Sequence, residues 1–198
     1  MGGNRGKLIV ISAPSGSGKT TIAKAIMKKY PMMLFSVSAT TRAKRPGEVE
    51  GKDYFFLTKE EFTSRVERGE LVEWEEIYGN YYGTLKSEVD RALSRGEVML
   101  FDVDVKGALS IKKKYGSEAI LIFIKPPSFE ALKERLTNRK TEDEAALKRR
   151  LERVSMELQQ ADQFDFQVVN DDLSTAIDQV DKIIANHTSL VSIQHASS

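Results

Sequence analysis

The sequence predicts an α/β fold built on a mostly parallel sheet. Short apolar runs alternate with segments of helical spacing, and these runs are Lys7–Ser12, Val98–Asp104, Ala119–Lys125 and Phe166–Asn170. Runs that are apolar on both faces are typical of parallel strands covered by helices on either side. Residues 36–90 depart from this alternation. The pattern therefore favours a parallel α/β core that carries one insertion.

Apolar periodicity and capping residues mark the helices of this core. Thr21–Lys29 has helical spacing after the first strand, and a helix-compatible segment ends near Gly116 after the second. Ser128 stands where it would cap a helix from Phe129 to about Asn138. Leu173–Ala185 is amphipathic and predicts the last helix.

Two further regions are distinguished by their polar residues. In residues 36–90, Thr, Tyr and Phe alternate with polar side chains at Tyr54–Leu57, Leu71–Ile77 and Tyr81–Thr84. A capping box at Thr58–Glu61 opens a helix that should end at Gly69. We therefore expect a half-solvated α+β insertion here. Arg139–Glu157 is densely charged with one apolar stripe, and it predicts a helical flap that packs along one side.

Composition excludes several classes of function. The 198 residues suit a single domain, and the absence of Cys excludes thiolate catalysis and thiolate metal sites. Both histidines, His187 and His195, lie in the last twelve residues, so a His-based triad in the core is excluded. The net charge of +1 favours neither nucleic acid nor an anionic membrane as a partner. We expect a cytoplasmic protein.

The strongest motif is a phosphate-binding loop. Gly16–Thr20 (GSGKT) lies between the first strand and its helix, the context in which backbone N–H groups surround phosphates. Lys19 would reach the β- and γ-phosphates, and the Thr20 hydroxyl would ligate Mg²⁺. Ala13 replaces the first glycine of the usual pattern. The loop predicts ATP or GTP binding, and the lack of an N-K-x-D run argues against a GTPase switch.

Charged side chains elsewhere suggest what the loop acts on. Asp102 and Asp104 end the second strand, and in an extended strand they would point to the same side. Asp102 would then hold Mg²⁺ through water. Arg42 and Arg45 lie three residues apart and can grip one phosphate by their planar forks. Further along the chain, Glu73 lies in the run LVEWEE at 71–76, and Tyr54, Tyr81 and Tyr82 supply phenol groups nearby in sequence.

Several runs together resemble the guanylate kinase family. They are FSVSATTRAKRPGEVEGKDY at 35–54, LVEW at 71–74, GNYYGT at 79–84 and FDVDVKG at 101–107, and with the phosphate loop the similarity covers about residues 7–185. The resemblance implies transfer of the γ-phosphoryl group of ATP to GMP, with Mg²⁺ as cofactor, giving ADP and GDP. It implies a P-loop NTPase-type α/β fold whose five-stranded parallel sheet is flanked by helices.

The resemblance also implies a division of the single domain 1–198. The core would comprise about residues 1–35, 91–126 and 158–198, the GMP-binding sub-domain about 36–90, and the helical lid about 127–157. The substrates would be ATP and GMP, with dGMP also accepted, within purine nucleotide metabolism. The sequence does not predict the oligomeric state.

Roles for individual residues follow from the loop pattern and the resemblance. The ATP-binding set is Ala13, Pro14, Ser15, Gly16, Ser17, Gly18, Lys19, Thr20, Thr21, Arg135 and Asn170. The GMP-binding set is Ser38, Arg42, Arg45, Tyr54, Glu73, Tyr82, Thr84 and Asp104. The catalytic set is Lys19, Asp102, Arg139 and Arg150, and the metal set is Thr20 with Asp102 through water.

Two alternatives stay open. One is a kinase for AMP, UMP or dTMP, which Glu73 argues against because the N1 atom of adenine is an acceptor. The other is a non-catalytic guanylate-kinase-like module that binds phosphorylated peptides. Such modules carry degraded phosphate loops, whereas Lys19 and Thr20 are present here.

Overall fold

The computed structural model describes residues 6–77, 79–137 and 144–191. The strands are β1 (Lys7–Ser12), β2 (Leu34–Phe35), β3 (Ala39–Thr40), β4 (Phe55–Phe56), β5 (Leu71–Ile77), β6 (Asn80–Leu85), β7 (Val98–Asp102), β8 (Ala119–Lys125) and β9 (Phe166–Val169). The helices are α1 (Lys19–Lys29), α2 (Lys59–Glu67), α3 (Lys86–Ser94), α4 (Val105–Tyr115), α5 (Phe129–Thr137), α6 (Glu144–Gln159) and α7 (Leu173–His187). None of the described helices is long and apolar enough to cross a membrane.

The larger sheet is parallel and has five strands in the order β2-β7-β1-β8-β9. One face packs against α1 and α7, around Ile9, Ile26 and Ile184. The other packs against α3 and α4, around Val10, Val89 and Ile111. Burial on both faces explains why these strands are continuous apolar runs. The predicted α/β class and the five-stranded parallel sheet are both confirmed.

Several predicted boundaries differ from the observed ones. Strand β7 ends at Asp102 and not at Asp104. The reason is that Asp104 is the N-cap of α4, where its side chain accepts from the N–H of Gly107. Helix α1 begins at Lys19, two residues earlier than periodicity indicated, because Gly18 provides the left-handed N-cap. Strand β2, of two residues, carries no recognisable pattern and was not among the runs identified.

The smaller sheet has four strands in the order β4-β3-β6-β5. Strand β6 pairs antiparallel with both β3 and β5, and α2 packs against this sheet through Phe62. The predicted capping box is confirmed, since Thr58 and Glu61 bond reciprocally across the start of α2. The buried apolar cluster of this sheet is small and consists of Ala39, Phe62, Leu71 and Leu85.

Gly83 on β6 is required by the close approach of β5. A Cβ atom added at Gly83 would lie 2.7 Å from the carbonyl oxygen of Glu73 and 2.9 Å from the Cβ of Trp74. Those positions belong to the neighbouring strand, which has no room to retreat without breaking the ladder. A side chain at position 83 would therefore displace the strand that carries Glu73.

Candidate functional site

The phosphate-binding loop joins β1 to α1 at the carboxyl end of the parallel sheet. Gly16 and Gly18 both have φ of 87°, a conformation that residues with a Cβ rarely adopt. The N–H of Ser17 donates to the carbonyl of Pro14 at 3.1 Å, which closes the turn. The N-terminus of α1, with its orphan N–H groups, then faces the loop and makes it an anion-binding position.

Asn170 supports the loop from behind. Its side chain is buried, and its Nδ2 donates to the carbonyl oxygen of Ser17 at 2.8 Å. A Cβ atom at Gly18 would lie 2.3 Å from the same Nδ2, so a side chain at position 18 would clash with the Asn170 amide. Asn170 thus braces the backbone of the loop, a role the sequence did not indicate.

The side chain of Lys19 contacts the carboxyl end of strand β7. Its Nζ forms an ion pair with Asp102 at 2.5 Å and donates to the carbonyl of Val103 at 3.0 Å. The Thr20 hydroxyl donates to the other oxygen of Asp102 at 3.4 Å. The hydroxyl and the carboxylate are the hard oxygen donors that Mg²⁺ takes alongside phosphates and water, so these residues fit that ion.

Asp104 departs from the prediction that it lies beside Asp102 on one strand. As N-cap, its Oδ1 accepts from the N–H of Gly107 at 2.8 Å. Its Oδ2 faces α6, where Arg153 Nη2 lies 3.3 Å away, and Arg153 Nε also bonds Glu157 at 2.8 Å. The strand ends before Asp104, so the two carboxylates do not belong to one strand as the sequence predicted.

Two cavities meet at Asp104. The larger is about 590 Å³ and is lined by residues 13–21 of the loop together with Asp104, Arg153 and Glu157. The second is about 300 Å³ and is lined by Val72, Glu73, Trp74, Glu75, Asp104, Lys106, Gly107 and Ser110. Both volumes suit small ligands. Since Asp104 lines both, a ligand on the phosphate loop and one beside Glu73 would be neighbours.

Glu73 lines the second cavity, and Thr84 is its hydrogen-bond partner on the neighbouring strand. The buried Thr84 hydroxyl donates to Glu73 Oε1 at 2.7 Å. A Cβ atom at Gly107 would lie 3.5 Å from Glu73 Oε2 and 3.2 Å from Asp104 Oδ1, so the two carboxylates flank this glycine. Burial raises the pKa of Glu73, and the negative charges of Asp104 and Glu75 add to that rise. Such a perturbed carboxyl in a cavity marks a candidate binding group.

Arg42 lies among the aromatic rings of Tyr54 and Phe56. Its guanidinium carbon is 5.2 Å from the centre of the Tyr54 ring, and the Tyr54 and Tyr82 rings meet edge-on at 6.1 Å. Its fork grips Glu48, with Nη2 at 2.6 Å from Oε1 and Nη1 at 3.2 Å from Oε2. Three residues of the predicted GMP-binding set, Arg42, Tyr54 and Tyr82, are therefore together.

The structure shows fewer contacts for the remaining predicted site residues. Ser38 comes directly before β3, whose Ala39 pairs with Gly83, so continuing the register by one residue sets Ser38 beside Thr84. Arg45 is exposed and gives its backbone N–H to Glu48 at 2.7 Å. Arg139 lies outside the described residues. Arg135 and Arg150 lie on α5 and α6, but the structure describes only their backbone.

Three contacts were missed by sequence reasoning. They are the pairing of Glu48 with Arg42, of Arg153 with Asp104, and of Asn170 with Ser17. The first is made within a loop without periodicity, and the other two join residues 49 and 153 positions apart. No local pattern reports contacts of these kinds.

Comparison with known proteins is consistent across sequence and structure. The family model described as guanylate kinase matches residues 5–187. A guanylate kinase of Chlorobium chlorochromatii is 51% identical over 91% of this chain and 95% of that relative. One from Thermotoga maritima is 48% identical over 94% of this chain and 90% of the relative. A crystal structure of guanylate kinase from Anaplasma phagocytophilum superposes with a TM-score of 0.71 at 31% identity, covering 96% and 89% of the two chains.

Proposed function

The chain belongs to the guanylate kinase family of nucleoside monophosphate kinases, and from that premise we propose that it transfers the γ-phosphoryl group of ATP to GMP. The products are ADP and GDP, and Mg²⁺ accompanies the donor. We place the reaction in the cytoplasm, in the recycling of GMP and dGMP within purine nucleotide metabolism. Residues 36–90 serve as the GMP-binding sub-domain, residues 127–157 as the lid, and the rest as the core.

The shared wall of the two cavities carries the proposal. Asp104 lines both the cavity of the phosphate loop and the cavity of Glu73. Phosphoryl transfer requires donor and acceptor in line and in contact, with little proton chemistry. A core without histidine can therefore catalyse it. ATP on the loop and GMP beside Glu73 would bring their phosphates together near Asp104.

Guanine recognition is assigned to Glu73 and the polar residues around it. Guanine presents N1–H and the exocyclic amino group as adjacent donors, and ionised Glu73 presents two acceptor oxygens. Thr84 orients that carboxylate through its 2.7 Å hydrogen bond. Asp104 and Ser38 complete the base site. Adenine, whose N1 is an acceptor, would meet Glu73 with lone-pair repulsion, which sets the preference for GMP.

The acceptor phosphate is assigned to the arginine and tyrosine cluster. Arg42, Tyr54 and Tyr82 lie together, and Arg45 follows on the same loop. A guanidinium fork binds phosphate bidentately, and phenol hydroxyls donate additional hydrogen bonds. This cluster fixes the GMP phosphate as the nucleophile.

On the donor side, residues 13–21 bind the triphosphate through backbone N–H groups and the helix N-terminus. Lys19 exchanges its pairing with Asp102 for the transferring phosphoryl group, whose charge it stabilises. Thr20 and Asp102 would hold the metal, Asp102 through water, and Mg²⁺ supplies charge neutralisation on the phosphates when bound. Asn170 holds the loop, and Arg135, Arg139 and Arg150 are proposed to close over it from the lid.

Intact loop chemistry favours this proposal over a phosphopeptide-binding module. Lys19, Thr20 and Asp102 are joined in one contact network, which a module that only binds peptides has no use for. A coupled ADP-release assay with Mg-ATP and each monophosphate in turn tests the proposal. We expect turnover with GMP at least about 10²-fold faster than with AMP, UMP or dTMP, because base recognition by paired polar groups discriminates strongly. Background rates with GMP would refute it.

A further inference from the structure

Glu48 is an acidic residue in the loop after β3 that the proposed chemistry does not use. Its carboxylate accepts from Arg42 Nη2 at 2.6 Å and Nη1 at 3.2 Å, and from the N–H of Arg45 at 2.7 Å. The Arg42 and Glu48 side chains are only 14% and 19% exposed. This is a bidentate, partly buried pair and not a casual surface contact.

The hydrogen bonds of Arg42 are directional. Nη1 donates to Glu48 and to the carbonyl of Ala43 at 2.8 Å, and Nη2 donates to Glu48. A guanidinium has five N–H groups, so the edge formed by Nε and the second Nη2 hydrogen is the one turned away from Glu48 and Ala43. The Tyr82 hydroxyl also interacts with this guanidinium, and the Tyr54 ring stacks on it.

We propose that Glu48 is a positioning residue for the acceptor phosphate: it occupies the end edge of the Arg42 fork and presents the side edge to the phosphate of the nucleotide. This inference rests on the proposed function. By holding Arg45 through its backbone as well, Glu48 keeps both arginines on one turn of the loop. A fork held in this way binds an oxyanion with less loss of conformational entropy than a free arginine.

The charge of Glu48 suits that role. Hydrogen bonding to Arg42 lowers the pKa of Glu48, and the Arg45 N–H adds to the effect. The carboxylate therefore stays ionised throughout the neutral range and can pair with the fork there. In the opposite mechanism, Glu48 would imitate the phosphate and compete with it for Arg42. The two mechanisms predict opposite changes when the charge is removed.

Glu48→Gln separates them. Gln keeps one acceptor and turns an NH₂ group toward the N–H donors of Arg42, so the fork loses its fixed orientation. We expect the KM for GMP to rise about 10-fold, with the KM for ATP unchanged, because an unsatisfied polar contact costs on this order. The inhibition constant of guanosine, which lacks the phosphate, should stay within about 2-fold of the wild-type value, since positioning acts on the phosphate alone.

Glu50→Gln is the matched control. Glu50 lies two residues later, is exposed, and accepts only the N–H of Phe56 at 3.1 Å among the bonds the structure records for it. Its substitution should leave both constants unchanged. Glu48→Asp should recover part of the loss, because the charge remains while the reach shortens. In an Arg42→Lys background, Glu48→Gln should add little, since the fork it positions is gone.

Each outcome is decisive. A lower KM for GMP in Glu48→Gln would show a competing anion and overturn the inference. Equal changes for GMP and guanosine, a loss equal to that of Glu50→Gln, or full additivity with Arg42→Lys would also overturn it. A Glu48→Gln protein that does not fold would move the test to Glu48→Asp, whose KM for GMP must then rise alone. Absence of GMP turnover in the wild type would overturn the proposed function and this inference together.

Discussion

The two sheets of the molecule bury different amounts of apolar side chain. The parallel sheet has an apolar cluster on each face, and strands β1 and β8 are buried along almost their whole length. Among the described residues, the four-stranded sheet has a smaller cluster of four buried apolar residues, and it places Glu73 in a cavity wall. The more extensively buried sheet positions the phosphate loop, and the less buried one carries the side chains that we propose bind the base.

This difference in burial leads us to expect a more stable five-stranded sheet and a more adaptable four-stranded sheet. Sites on well-packed elements are held precisely, while regions with few buried contacts open and shift at lower free energy. Under the proposed function, the phosphate loop would need the same backbone geometry for every donor molecule. The proposed acceptor site would have to discriminate among bases and close on one of them. Perturbing one sheet should therefore affect one substrate.

The largest effect is expected at the parallel sheet. Lys19→Ala should lower kcat about 10²- to 10³-fold, because the lost charge acts on the transferring phosphoryl group. GMP binding, measured by calorimetry, should change less than about 2-fold. Lys24→Ala, an exposed lysine on the same helix, serves as the control and should retain full activity. Loss of GMP binding in Lys19→Ala would contradict the expectation that each sheet affects only one substrate.

A smaller effect should follow from crowding the four-stranded sheet. Gly83→Ala forces a Cβ atom to within 2.7 Å of the Glu73 carbonyl, so β5 must move. We expect a stability loss of about 1–3 kcal/mol and a rise of about 10-fold in the KM for GMP. Hydrogen exchange should accelerate in β5 and β6 while β1 and β8 keep wild-type protection. Equal acceleration in both sheets would mean that they unfold as one unit.

The smallest effect concerns pH. Because burial raises the pKa of Glu73, its carboxylate is protonated at a higher pH than an exposed glutamate, and a protonated group cannot accept from both guanine donors. The KM for GMP should therefore rise severalfold as pH falls through that raised pKa, while the KM for ATP stays level. A pH profile shared by both substrates would place the titrating group elsewhere.

The raised pKa of Glu73 also affects the stability of the folded protein. Acidification should weaken GMP binding but favour the folded state. The folded state binds the proton of Glu73 more tightly than the unfolded state, so its contribution is complete at low pH and is lost as pH rises through the folded pKa. Wild type should accordingly gain stability relative to Glu73→Gln as the solution is acidified. Urea denaturation of both proteins across that range measures the difference.

Sequence reasoning was most successful where a pattern repeats. The strands at Lys7–Ser12 and Ala119–Lys125, and the helix start at Thr58, were predicted because buried runs and capping boxes are local signals. Strand β2 escaped because two residues carry no periodicity. Asp104 was misplaced because the sequence does not show where a strand yields to a helix cap.

The candidate site was predictable in its residues more than in its contacts. The loop pattern and the family resemblance selected Glu73, Thr84 and Arg42, which the structure brings to one side of the smaller sheet. The pairing of Arg42 with Glu48, and of Lys19 with Asp102, depends on side-chain orientation and on chain segments far apart. Those contacts depend on tertiary packing, and no local pattern in a single sequence predicts them.

The central claim is that Glu73 on the four-stranded sheet selects the acceptor base. Measuring kcat/KM for GMP and AMP in wild type and in Glu73→Gln tests it most directly, with the exposed Glu76→Gln on the same strand as control. Gln turns an NH₂ toward a guanine donor, so GMP should lose about 10- to 10³-fold. AMP should lose less or improve, because that NH₂ can donate to adenine N1, and the GMP/AMP ratio must fall. An unchanged ratio, or an equal fall in Glu76→Gln, would contradict the account.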